Sequence, residues 1–434
     1  MRDTTEALVI GAGVIGSSIA LDLVRRGLNV TVVDKAAGPG LGSTSASSAI
    51  VRFNYSGWDA MAAAWESKFG WEDWEQTLGF RDPDGMARYV RCGMVMLDVD
   101  ILPRARMVSM FGQAGIPFEV WDAEELAARV PGLDPGRFWP PKPVTSEEFF
   151  DDPQGVLGAV YTPDAGYVTD PQQAAANLAA AARSRGARFA FREDIVAIAR
   201  PATGWRLTCA SGRVLEADVV VNAAGPWSAR LNKLAGVGSD WTVHTAPLRQ
   251  EVHVVAAPDR LTRGGEPVPC IADVDLGTYL RGETGGNLLV GGTEPACDPL
   301  EWVDDPDAAD PRPSAERFQA QVWRAARRLP ELSVPNRPRG VAGVYDVSDD
   351  WTPIYDRTEA PGFFVAIGTS GNQFKNAPLV GALMGALIEG VAGGHDHDAD
   401  PLAFTAPHTG HVINLGAFSR RRARDPHATG TVMG

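Results

Sequence analysis

The stretch Ala7-Leu8-Val9-Ile10-Gly11-Ala12-Gly13-Val14-Ile15-Gly16 decides the fold of this 434-residue chain. Its first four residues are apolar without a break, the pattern of a short strand buried on both faces. Glycines then recur as G-x-G-x-x-G. Residues 17–26 read as a helix, with Ile19, Leu21, Leu23 and Val24 apolar, and Gly27 closes it. Residues 29–33 form a second strand, and Asp34 follows directly at its end. In this setting Gly11 allows a tight turn, Gly13 lets the backbone approach a pyrophosphate, and Gly16 lets helix and strand pack closely. The helix N-terminus, with Val14 and Ile15, faces the phosphates. Asp34 stands where an acid accepts a ribose hydroxyl, with Lys35 beside it. The chain therefore reads as an α/β protein with a Rossmann-type domain on a parallel sheet.

That motif does not separate one dinucleotide from another. Two further buried strands end in small residues: Val219-Val-Val-Asn-Ala-Ala-Gly225 and Phe363-Phe-Val-Ala-Ile-Gly368. Several strands opening onto one crevice suit a long, extended dinucleotide. Other strands are expected at 195–199, 204–209, 250–255, 278–281 and 287–290, the last three in an antiparallel sheet. Helices are expected at 57–78, 172–185 and 378–387. The first of these carries Trp58, Trp65, Trp71 and Trp74, read as core packing. Pro-rich stretches at 131–143 and 305–313 read as surface connections.

Hydrophobic residues make up 44% of the chain, enough for a large core and two interleaved domains. The net charge of −14 argues against nucleic acid and anionic membranes as partners. No apolar run is long enough to cross a bilayer, so no membrane span is expected. The polar, acidic start lacks the features of a signal peptide, which suggests a cytoplasmic protein. Cys92, Cys209, Cys270 and Cys297 have spacings that suit neither zinc nor a disulfide framework, and read as buried small hydrophobes. His395 and His397 read as part of a solvated loop, so no metal is expected. The arginines at 420–422 and 424 read as a frayed, solvated end. No spacing supports a Ser-His-Asp or Cys-His arrangement.

Six motifs in order carry a resemblance. They are Gly11–Gly16 with Asp34; Gly42-Ser-Thr-Ser-Ala-Ser-Ser-Ala-Ile-Val-Arg52; Pro163-Asp-Ala-Gly-Tyr-Val-Thr-Asp170; Ala217-Asp-Val-Val-Val-Asn-Ala-Ala-Gly-Pro-Trp-Ser228; Gly343-Val-Tyr-Asp346; and Ile367-Gly-Thr-Ser-Gly-Asn-Gln-Phe-Lys375. Over about residues 6–390 the chain resembles the FAD-dependent amine and D-amino-acid oxidase family, in particular its sarcosine oxidase and glycine oxidase branch. The resemblance implies a discontinuous FAD-binding domain from 1–80, 150–240 and 335–390. A second, α+β substrate domain, built on an antiparallel sheet, would come from 81–149 and 241–334. Residues 405–434 would form a C-terminal tail.

The resemblance also implies chemistry. A hydride moves from the carbon beside an amine nitrogen to flavin N5, and the imine hydrolyses. The substrate would be a small amino acid or N-alkyl amino acid, and the acceptor O2 or another carrier. The FAD site would add Ser43, Thr44, Ser45, Ala224, Gly225, Trp227, Gly343, Gly371, Asn372, Gln373, Phe374 and Lys375 to the residues above. By residue matching, Arg52 and Lys375 grip the substrate carboxylate and Tyr345 lies over the flavin. Lys375 is also conspicuous by itself: only five of the 40 basic residues are lysines, and this one sits in a Gly-rich turn. Tyr279 falls on the strand expected to face the flavin.

Departures from the family matter equally. Where some relatives attach FAD through a cysteine this chain has Gly343, and where others use a histidine it has Ala46, so non-covalent FAD is expected. Leu289 stands where the sarcosine oxidases carry a lysine that assists oxygen reduction, and Thr293 replaces their histidine. A dehydrogenase subunit that passes electrons to a carrier, or a non-catalytic flavoprotein assembly factor, are the alternatives. Oligomeric state is left open.

Overall fold

An apolar run with no polar alternation must be covered on both faces, and Ala7–Ile10 is at most 5% exposed. The computed structural model describes residues 2–424 and 430–433. The strand Arg2–Ile10 lies inside an eight-stranded sheet. It runs parallel to Val30–Asp34 on one side and to Val214–Asn222 on the other. Arg188–Phe191 and Phe363–Ile367 extend the parallel part outward. Ile195–Ala199, Trp205–Cys209 and Ile354–Arg357 add antiparallel edges. The chain leaves Arg2–Ile10 to one side and later returns on the other. That reversal opens a crevice at the carboxyl ends of the strands.

The helix Val14–Arg25 packs against Pro171–Arg183 and Ala377–Ala392. Contact is close: the Ser18 hydroxyl donates to the Ala377 carbonyl at 2.5 Å. The expected helix over 57–78 is two helices, Trp58–Glu72 and Trp74–Leu78, broken at Asp73. Trp65, Trp71 and Trp74 are buried in the core.

The second sheet has nine strands and holds the expected antiparallel elements, observed as Thr245–Ala256, Thr278–Glu283 and Asn287–Gly292. Among the described residues only Met94–Leu97 and Cys270–Asp273 pair in parallel there. The helix Ala315–Arg328 covers one face with Phe318, Val322 and Ala325. Gly340–Ser348 pairs along Thr245–Ala256 and leads directly into Ile354–Arg357 of the first sheet. That passage sets the two sheets side by side. The four cysteines are free, although the Cys92 and Cys270 sulfurs approach to 3.9 Å.

Two readings of the chain end are corrected. Residues 425–429 and Gly434 of the expected tail lie outside the described residues. The arginines before them are not frayed: Arg420 is fully buried and pairs with Asp240, Asp356 and Asp398. Arg422 pairs with Asp350 at 2.7 Å. These partners are scattered along the chain from Asp240 to Asp398, so a local window shows the cations without their anions. His397 likewise leaves the solvated loop: it is buried, accepts the Leu402 N–H at 3.0 Å, and lies 3.6 Å from Asp356. Among the described residues no His, Cys, Asp and Glu group could hold a metal ion, and no helix is long and apolar enough to cross a membrane.

Candidate active site

The crevice of the first sheet holds a cavity of about 390 Å3. Gly11, Gly13, Val14 and Ile15 line it, together with Asp34, Lys35, Ala224, Gly225 and Trp227. Gly11 has a φ of +107°, and a Cβ there would lie 2.3 Å from the Ala223 carbonyl oxygen. A Cβ on Gly16 would lie 2.0 Å from the Gly11 oxygen. Strand, turn and helix thus touch backbone to backbone. The Asp34 carboxylate accepts N–H bonds from Ala12 at 2.6 Å and Ala36 at 2.7 Å, bracing the turn it borders. Thr44 accepts the Val14 N–H at 3.1 Å, and Ser43 donates to the Val344 carbonyl at 2.6 Å. A deep cradle without room for side chains, next to a helix N-terminus and an acid, fits a dinucleotide.

Some expected residues sit differently. Ser45 does not line this cavity; it borders a neighbouring one of about 400 Å3, with Ala46, Leu289, Arg281 and Arg339. Gly343 does not line it either. A Cβ on Gly343 would lie 2.7 Å from the Ala46 Cβ, so the two positions where relatives carry attachment residues abut each other. Lys35 lies 4.2 Å above the Trp227 ring and pairs with Asp307, which also accepts the Trp227 indole N–H at 3.1 Å. Asp307 comes from the Pro-rich 305–313 stretch. The sequence marks that stretch only as a connection, because nothing local shows it to be a clasp on the cavity edge.

A second, smaller cavity of about 50 Å3 adjoins the first, with Ser47, Tyr345, Gly371 and Phe374 lining both. Arg52 and Lys375 meet there, 5% and 2% exposed. The Arg52 guanidinium donates to the carbonyls of Asn54 and Val432. The Lys375 ammonium donates to the Tyr55 hydroxyl at 2.9 Å and to the Asn372 carbonyl. Neither has a carboxylate partner among the described residues. Burial lowers the pKa of Lys375 well below its ordinary value, and Arg52 adds to that. Tyr55 lies under both cations, its ring 4.9 Å from Arg52 and 5.2 Å from Lys375. Burial pushes its hydroxyl up to about 12.

The turn bearing Lys375 is held from several sides. Trp71 stacks on Phe374 at 5.4 Å and donates its indole N–H to the Lys375 carbonyl at 2.7 Å. Gln373 accepts from Tyr355 and Asn376 and donates to Asn372. Asp346, pushed up to about 7 by burial, accepts the Gly368 N–H at 2.6 Å. Gly371 has a φ of +68°, and a Cβ on it would lie 2.2 Å from the Tyr345 ring. Tyr279 lines the small cavity with its hydroxyl 2.6 Å from Ser48.

Sequence reading missed Tyr55, Asp307, the segment around Val432, and Glu294, which accepts the Val432 N–H at 2.9 Å. Tyr55 and Val432 reach the site from opposite ends of the chain, and no periodic or motif signal marks them. Asp346 lies inside a quoted motif without an assigned role. Thr293 is buried with its hydroxyl unpaired among the described residues.

Comparison with known proteins agrees with this geometry. The family model described as FAD dependent oxidoreductase matches residues 6–387. Glycine oxidase of Geobacillus kaustophilus is 30% identical over 240 residues, covering 54% of this chain and 57% of that protein. FAD-dependent oxidoreductase domain-containing protein 1 of Bos taurus is 31% identical over 191 residues, covering 42% and 37%. The matches thus span about half, or less, of these relatives' length. Among solved structures, the same glycine oxidase superposes with a TM-score of 0.72 at 23% identity, covering 97% of this chain and 99% of that one. L-proline dehydrogenase from P. horikoshii superposes with a TM-score of 0.73 at 22% identity, covering 91% and 95%. The chain is a member of the FAD-dependent oxidoreductase family of D-amino-acid oxidase type.

Proposed function

We propose that this enzyme oxidises the C–N bond of a small amino acid or N-alkyl amino acid, with FAD held non-covalently. The observation that carries the reading is the pair Arg52 and Lys375: two buried cations at one small cavity, without a carboxylate partner among the described residues. An unpaired buried charge is costly, and a substrate carboxylate supplies the missing partner. Arginine offers a planar fork and lysine a compact charge, so together they fix both position and orientation of a carboxylate. The amine-bearing carbon then projects toward the cavity shared with the larger cleft. Bound FAD would supply the two-electron sink for the hydride from that carbon. Tyr345 and Tyr279 wall the reacting end and limit water. The Tyr279 hydroxyl, paired with Ser48 and pushed up to about 12, is suited to positioning rather than proton transfer. No nucleophile stands at Gly343 or Ala46 to bond the flavin. The similarity to a glycine oxidase supports a small substrate.

The test is anaerobic bleaching of the oxidised flavin by a panel of amino acids and N-alkyl amino acids. At least one small member should bleach it, and the flavin should leave the chain on acid denaturation. A flavin that no member reduces contradicts the reading.

One observation favours a carrier over O2 as acceptor. Leu289 stands at the position of the family lysine, and no lysine occurs between 234 and 374. A lysine at that position would favour superoxide formation by Coulomb attraction; Arg281, which lines the same neighbouring cavity as Leu289, is instead paired with Glu283 at 3.1 Å. Stopped-flow mixing of reduced enzyme with air decides: slow reoxidation is expected, and fast reoxidation makes the enzyme an oxidase.

A further inference from the structure

Residues 430–433 return to the small cavity and complete its wall. Val432 and Met433 are 9% and 4% exposed, and both line the cavity with Arg52, Lys375 and Tyr279. The backbone of Val432 is gripped from two sides. Its carbonyl accepts from Arg52 Nη2 at 2.6 Å. Its N–H donates to Glu294 Oε2 at 2.9 Å. Glu294 follows the strand Asn287–Gly292 with a φ of +51°, a conformation that non-glycine residues seldom adopt. The segment is therefore seated by side chains from two separate parts of the fold. With it in place the cavity is about 50 Å3, room for roughly a few water-sized groups.

We propose that the segment Gly430–Met433 is the specificity-determining wall of the substrate cavity: it limits the substrate to a small side chain and competes with the substrate carboxylate for Arg52. The proposal rests on the carboxylate reading of Arg52 and Lys375. A neutral carbonyl is a weaker acceptor for a guanidinium than a carboxylate is, so the substrate displaces the Val432 carbonyl from Nη2. The side chains of Val432 and Met433 then meet whatever extends beyond the substrate's α-carbon. Removing the segment frees one Arg52 donor and opens the cavity.

The experiment titrates the FAD-loaded enzyme with acetate and with benzoate, following the flavin visible spectrum. Three chains are compared: the full chain, a chain ending after residue 429, and the double variant Val432→Ala/Met433→Ala, which keeps the backbone bonds and guards against misfolding of the truncated form. Acetate should bind the full chain, and about tenfold tighter after truncation, since a hydrogen bond to a charged group is released. Benzoate should bind the full chain at least about tenfold more weakly than it binds either altered chain. Equal benzoate affinity in all three chains overturns the wall while leaving the carboxylate site standing. No spectral response to either acid in any chain overturns both.

Discussion

Arg52 and Lys375 are buried cations whose acceptors among the described residues are neutral, and their properties follow from that. Lys375 is pulled well below its ordinary pKa, first by burial and then by Arg52. A lowered lysine loses its proton as pH rises through the new value, and an arriving carboxylate raises that value again. Binding of acetate at a pH above the lowered value should therefore take up a proton, seen as a dependence of the binding heat on buffer ionisation enthalpy. Identical heats in all buffers, across the pH range, contradict this. Arg52→Ala or Lys375→Ala should raise KM roughly tenfold to a hundredfold while FAD stays bound, since each removes hydrogen bonds to a charged group. Unchanged KM in both variants contradicts the assignment. Lys375 is legible because lysine is rare in this chain and stands out in a glycine-rich turn. Arg52 is legible only through the family motif. Tyr55 and Glu294 are not legible, because their contacts join segments that no sequence window connects.

The element that organises the site is the turn from Gly368 to Lys375, placed by a buried strand before it and the helix Ala377–Ala392 after it. Gly371 gives up its side chain to the Tyr345 ring. Gly371→Ala should cost about 1–2 kcal/mol for the left-handed backbone alone, with more from the clash, and lower the denaturation midpoint. It should also weaken acetate binding, because the turn also carries Lys375. A variant with wild-type stability and affinity contradicts this account of the turn. The flanking strand and helix are readable from their apolar runs. The strands Met94–Leu97, Ala159–Thr162 and Cys270–Asp273 are not, since each is only four residues long, too short for an apolar period to show. The long helix reads as unbroken in the sequence, because neither Asp73 nor either of its immediate neighbours is a glycine or proline.

At the scale of the molecule, two sheets meet along Gly340–Ser348, and the chain end is tied back across them. Arg420 anchors that end among Asp240, Asp356 and Asp398. Its bond holds the Asp398 carboxyl below the ordinary aspartate value. The stability this supplies is therefore present above the unfolded value of 3.8 and lost as pH falls through the lower, folded one. Arg420→Met should cost about 3–5 kcal/mol at neutral pH by leaving the buried Asp356 carboxylate without its arginine, with a smaller penalty in acid; Asp240 and Asp398 keep Arg421. Equal denaturation midpoints at pH 7 contradict the anchor. The overall architecture is legible from the glycine turn, the strand ends and their order. The docking of the chain end is not, because it depends on anions dispersed along the chain. The central claim is that a carboxylate on Arg52 and Lys375 presents the substrate for oxidation. Its most direct test is anaerobic flavin bleaching by matched pairs, each an amino acid and the amine left by removing its carboxylate. The account predicts that the small amino acids bleach the flavin and their decarboxylated partners do not; equally fast bleaching by both members of a pair would contradict it.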